Sequence, residues 1–242
     1  MSNLFGFSTE TAAGGGDFMP VCKYDARSGR LFRIDRVNTG NGFQSEPVDI
    51  TSIFKAVVDF ENMQVGWIDF PVGSAPSFVL VPFADFTAGK IALPAKPSEK
   101  HKNGLRFTLK LGKSCGGDRP LREMAGTAKA FLSGVEEVCQ EYIKTKAQYA
   151  GQLPVLELVS TMPVKSGSGQ ATSTNYRPKF RISGWAPRPA DLIAKPVPIA
   201  GAPVEHLPAP TAAPSTGATV VPPNVMQGVP APAVQMADDD FG

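Results

Sequence analysis

The chain of 242 residues has only two histidines, two tryptophans and three cysteines, and each scarcity removes a class of function. His101 sits in a lysine-rich loop and His206 in a proline-rich stretch, so an imidazole poised between a nucleophile and an orienting acid has no candidate. Cys22, Cys115 and Cys139 are odd in number and far apart. That spacing suits neither a disulfide framework nor paired zinc ligands, and points to reduced thiols in a cytosol. The opening "MSNLFGFSTETAAGGGDF" has Gly and Thr where a secretory signal needs an apolar core. No apolar run approaches the length of a membrane span. A cytoplasmic protein without membrane contact is the expectation.

Two motif fragments also lack their contexts. Gly112, Lys113 and Ser114 look like the end of a phosphate-binding loop, but the required first glycine would fall on Phe107. The terminal "DDDFG" contains the kinase triplet Asp-Phe-Gly with no catalytic loop upstream. Nothing here supports a metal, a nucleotide cofactor or a covalent intermediate. The expectation is a protein with no cofactor that is not an enzyme.

What the chain does have is a skewed charge. The net charge is +2, yet from Lys195 onward one lysine faces Glu205, Asp238, Asp239 and Asp240, a balance of −3, so residues 1 to 194 carry +5. Between Lys90 and Arg119 eight Lys and Arg face only Glu99 and Asp118. Inside that stretch "LRFTLKL" alternates, placing Leu105, Phe107, Leu109 and Leu111 on one side of a strand and Arg106, Thr108 and Lys110 on the other.

The remaining elements follow from pattern. "VCKYDARSGRLFRIDRV" reads as a hairpin turning at Ser28-Gly29, and "NTGNGFQSEP" as the loop after it. "SIFKAVVDFE" and "VGWIDF" suggest a second strand pair, with "SFVLVPF" a short strand whose Pro82 marks an edge or an end. "AKAFLSGVEEVCQEYIKTKA" carries Phe131, Leu132, Val135, Val138, Cys139, Tyr142 and Ile143 on one helical stripe. "PVLELVSTM" and "YRPKFRISGW" form a last strand pair across a polar loop. In its second strand Tyr176, Phe180 and Ile182 share one face, while Arg177, Lys179, Arg181 and Trp185 share the other.

Two cationic strand faces suit a ligand with repeating negative charge, and the indoles of Trp67 and Trp185 are candidates to stack on bases. Tyr176 is a further stacking candidate, with Tyr24, Phe32 and Phe43 behind it. The order of strand pair, short strand, basic strand, helix and final hairpin is similar to the five-stranded OB barrel, whose helix lies between its third and fourth strands, here preceded by an extra N-terminal hairpin. The expected domains are a flexible arm over 1–18, an OB-like nucleic-acid-binding domain over 19–190, a disordered Pro/Ala-rich linker over 191–237 and an acidic tail peptide over 238–242. Ten prolines between Pro196 and Pro232, with no aromatic before Phe241, preclude a core in the linker.

With its "ADDDFG" terminus behind a Pro-rich tether, the chain resembles single-stranded DNA-binding proteins, particularly those encoded by bacteriophages. It departs from the bacterial pattern, which ends in Pro-Phe, since Gly242 follows Phe241. The resemblance implies sequence-tolerant binding and protection of single-stranded DNA during replication and recombination, in the bacterial host's cytoplasm. Phosphates would meet Lys102, Arg106, Lys110, Lys113, Arg177, Lys179 and Arg181. It further implies that Asp238, Asp239, Asp240 and Phe241 recruit proteins such as a polymerase or helicase. Physically, an acidic tail also competes for a basic groove, so deleting the last seven residues should tighten DNA binding at low salt. A homo-oligomer is compatible with the sequence. The rival reading is a phage structural or assembly protein whose Pro-rich tail is a tether.

Overall fold

The strand at the centre of the molecule is the one whose alternation is cleanest. In the computed structural model, which describes residues 19–40, 42–166 and 172–192, that strand is β7 (Lys102–Leu111). Leu105, Phe107, Leu109 and Leu111 are buried on its inner face, and Arg106, Thr108 and Lys110 are half-buried on the outer. The predicted arm at 1–18, loop residues 167–171, the linker from 193 and the acidic tail lie outside the described residues.

Among the described residues there are nine further strands: β1 (Val21–Asp25), β2 (Arg30–Asn38), β3 (Phe43–Asp49), β4 (Lys55–Val58), β5 (Gln64–Asp69), β6 (Ser77–Pro82), β8 (Leu121–Gly126), β9 (Gln152–Ser166) and β10 (Ser173–Pro187). Three helices accompany them: α1 (Phe83–Thr87), α2 (Lys113–Gly116) and α3 (Lys129–Thr145). The protein is mainly β. Its sheet runs β10-β9-β4-β7-β8-β1-β2-β3, with β5 and β6 branching from β7. All pairings are antiparallel except β1 with β8.

The sheet is open. Tyr176 donates its N–H to the Ala26 carbonyl at 2.6 Å, and the Tyr24 hydroxyl donates to the Tyr176 carbonyl at 3.0 Å. These bonds tie β10 to the first hairpin without forming a ladder. That hairpin turns as expected: Gly29 takes φ +69°, its N–H reaches the Asp25 carbonyl, and the Asp25 carboxylate accepts from Arg27 N–H and the Ser28 hydroxyl.

α3 covers the inner face of the curled sheet. Phe131, Val135, Val138, Cys139 and Tyr142 enter a core shared with Tyr24, Phe60, Phe107 and Leu156. Burying each large apolar side chain contributes about 1.5–3 kcal/mol relative to exposure. The helix approaches β10 closely because of Gly134. A β-carbon there would strike the Pro178 carbonyl and come within 2.7 Å of the Pro178 ring. Helix propensity favours Ala over Gly by only about 1 kcal/mol, less than the typical cost of overpacking.

Three expectations need correction. "SIFKAVVDFE" and "VGWIDF" do not pair with each other. β4 and β5 run in the same direction and lie end to end along β7, β4 against Leu109–Leu111 and β5 against Lys102–Arg106. The connector drops Phe60 and Met63 into the core and fixes Asp59 N–H on the Thr108 carbonyl, so the chain advances instead of reversing. Second, part of the predicted loop "NTGNGFQSEP" is strand: β3 extends the sheet beyond β2. Third, β8 inserts between β7 and β1, which makes the sheet larger than five strands.

Candidate nucleic-acid interface

Strand registers assign every side chain to the core face or to the outer face. Thr108 lies opposite Glu123, Glu123 opposite Val21, and Val21 opposite Ile34, which carries the outer face from β7 to β2. Lys110 opposite Val57, and Lys55 opposite Glu157, which faces Arg181, carry it to β10. By this alternation the outer face receives Lys23 from β1, Arg30 and Arg36 from β2, and Lys55 from β4. β7 adds Lys102, Arg106 and Lys110, and β10 adds Arg177, Lys179 and Arg181. The strand carboxylates sharing that face are Asp25, Asp49, Glu123 and Glu157. The described residues as a whole hold 23 Lys and Arg against 16 Asp and Glu, a balance of +7.

By register, six of the seven expected phosphate ligands share one side of the sheet, with β7 and β10 three strand spacings, about 14 Å, apart, although the Arg177 guanidinium at the β10 edge reaches Glu137 of α3. Lys113 is the exception, standing exposed at the start of α2 beyond the end of β7.

Most of these cations already hold carboxylates. Arg106 is bonded to Glu123 and lies over the Phe78 ring, 4.8 Å from its centroid. Lys110 is 3.4 Å from Asp191, Arg177 3.7 Å from Glu137, and Arg181 2.7 Å from Glu157. The Arg181 bond draws the Glu157 carboxyl below its usual range. Lys102 and Lys179 are exposed. The Arg106–Glu123 pair is partly buried, but exposed pairs such as Arg181–Glu157 contribute about 0–1 kcal/mol, so a phosphate can take the carboxylate's place there at little cost.

The ground between β7 and β10 is covered by the chain itself. Residues 188–192 cross the outer face, where Leu192 closes a small apolar cluster of Val57, Leu153, Val155 and Ala186. Arg188 pins this strap. Its two terminal nitrogens reach the fully buried Asp59 carboxylate at 2.7 and 3.0 Å, one of them also meets Glu61 at 2.6 Å, and the other donates to the Leu192 carbonyl at 3.2 Å. Asp191 and Leu192, expected at the start of the linker, thus pack against the sheet.

The aromatic half of the expected site is elsewhere. Trp67 pairs with Asn103 and follows the parity of Leu105, so it lies on the face opposite Arg106, and its indole N–H donates to the Pro94 carbonyl at 2.8 Å. Trp185 was expected beside Arg181. Ser183 is an extra residue between Ile182, opposite Leu156, and Gly184, opposite Val155. This bulge reverses the alternation and turns Trp185 to the core side, where it stacks on Tyr149 at 4.4 Å and on Tyr142 at 5.9 Å. Tyr176 follows the parity of Pro178 and Phe180 and packs against Gly29. Of the weaker aromatic candidates, Tyr24 is buried against Phe131, whereas Phe32 is half-buried on the outer face opposite Lys23. The Phe43 side chain lies outside what is described.

No protein-family model matches the chain, and no curated protein or solved structure is detectably similar to it. Among the described residues no group of three or more His, Cys, Asp or Glu could hold a metal ion, and no helix is long and apolar enough to cross a membrane. His101 is buried between the hydroxyls of Ser98 and Ser77, at 2.8 and 3.1 Å, in a structural setting. Lys23, Arg30, Arg36 and Lys55 are outer-face cations that sequence reasoning passed over. The alternation of β1 and β2 held that signal, but the pairing of β1 with β8 did not show in the pattern.

Proposed function

We infer that the protein binds single-stranded DNA in a sequence-tolerant manner across the outer face of its sheet, without catalysis. One observation carries this: by strand register ten Lys and Arg lie on the outer face of five strands, around the small apolar cluster that Leu192 closes, against four strand carboxylates. A broad β surface does not fit the groove of a duplex in the way a helix or a two-stranded ribbon does. It does suit an extended strand whose phosphates meet successive cations. A curled sheet with its helix lying between the basic strand and the final hairpin also supports an OB-related core, elaborated by β1, β2, β3 and β8. The tail residues Asp238 to Phe241 are proposed to recruit replication or recombination proteins.

The test is competition between labelled oligo(dT) and unlabelled duplex of equal length, followed by anisotropy at one salt concentration and then across a salt series. The expected result is preference for the single strand, with log affinity falling by about 0.7 per neutralised phosphate for each decade of salt. Preference for the duplex, or no binding at low salt, would refute the proposal. The latter result would favour the assembly-protein reading.

A further inference from the structure

The outer face is not purely cationic. At the start of β6, Phe78, Ile68 and Lys102 form one row across β6, β5 and β7. Ile68 is buried within the row and Lys102 is exposed at its end. Phe70, just past β5, is nearly half exposed at 46% and meets Phe78 edge to face, with ring centroids 6.2 Å apart at 89°. The Arg106 guanidinium lies over Phe78 and is fixed from behind by Glu123.

Isolated exposed phenylalanines need no explanation. This pair differs because a fixed guanidinium plane and an exposed lysine accompany it. Cation, ring and ring, with a second cation alongside, are what an unstacked base and its neighbouring phosphates require. Both indoles, meanwhile, are turned to the other face.

We propose that Phe70 and Phe78, with Arg106, form a base-stacking platform for single-stranded nucleic acid, and that Lys102 holds an adjoining phosphate. This rests on the DNA-binding reading above and assigns its aromatic contacts. Phe70 is the exposed ring that a base would cover, Phe78 is the ring that braces it edge to face, and Arg106, held over Phe78, places a positive charge beside the site.

The test uses the full chain, with Phe70→Ala and, to keep packing, Phe78→Leu. Affinities are measured at one salt concentration for oligo(dT) and for an abasic strand of equal length. Far-UV circular dichroism and a urea midpoint check the fold. The expected result is about a tenfold loss of oligo(dT) affinity in each variant, with little change for the abasic strand and an unaltered salt slope. If both variants retain the wild-type preference for bases over the abasic backbone, the platform is refuted while the polyanion surface stands. If the intact chain binds neither strand, the DNA-binding reading and the platform fall together. A wild-type protein that binds both strands equally would also refute the platform, and would leave the exposed rings to an apolar protein partner.

Discussion

Replacing Arg188 with Ala tests the strap. Asp59 has no exposed surface, and its carboxylate holds both terminal nitrogens of Arg188. Removing one partner of a buried ion pair typically costs about 3–5 kcal/mol, because the other charge stays buried without compensation. Two features reduce that cost here. The Arg188 side chain is 32% exposed, so part of its desolvation is already relieved. Asn62 also continues to donate its backbone N–H and its amide to Asp59, at 3.3 and 2.8 Å. We expect a loss of about 2–3 kcal/mol on that basis. With a urea m-value of about 2 kcal/mol/M, the midpoint should fall by about 1–1.5 M. Adding Asp59→Asn to Arg188→Ala removes the stranded charge and should restore part of the loss. Glu61→Ala removes only the exposed second carboxylate and should change stability by less than about 0.5 kcal/mol. An Arg188→Ala midpoint equal to wild type would refute the account, as would a double variant no more stable than the single one.

The same strap sets a binding prediction. Asp191→Asn frees Lys110, so oligo(dT) affinity should rise about two- to fivefold at low salt and converge with wild type as salt increases; anisotropy titrations decide this. Saturating oligo(dT) should leave tryptophan emission nearly unchanged, because Trp67 and Trp185 face away from the cations; strong static quenching would overturn the assignment of the outer face. Burial pushes the Cys22 thiol up to about 12 and that of Cys139 up to about 11, so both should resist Ellman's reagent in the native protein and react at the rate of opening. Side-chain and backbone bonds from Thr51 hold the Asp49 carboxyl below its usual range, and Arg181 does the same for Glu157. Each therefore contributes stability above its unfolded pKa and loses it as pH falls through the lower folded value. Urea midpoints should drop from about pH 5 toward pH 3, and less steeply in Asp49→Asn.

Elements governed by local pattern were legible in the sequence. β7 and α3 each bury one regular stripe, and the first hairpin has Gly29 where its turn needs a positive φ. β8 was hidden because Arg122, fully buried, stands where a strand would show an apolar residue. Its two terminal nitrogens donate to the Ile34 carbonyl at 2.8 Å and to Asp35 at 2.6 Å, partners more than eighty residues away, while its Nε is buried without a partner. β3 was hidden by its polar composition, which suffices for a strand that pairs on one side only. The cationic faces of β7 and β10 were correctly separated from their apolar faces, because alternation is a local property. That these faces belong to one surface depends on the intervening β9 and β4 registers, and no period in the chain reveals those. Trp67 lies off the cationic face for a similar reason: its odd parity relative to Arg106 follows from pairing with Asn103.

The bulge at Ser183 gives one residue of backbone length control over molecular sidedness. Excising that serine would restore strict alternation downstream, swinging an indole out of its tyrosine sandwich toward the guanidinium of Arg181. Insertions and deletions in this hairpin are thus a route by which related chains could trade interior packing for ligand contact without altering the chemistry of any retained amino acid.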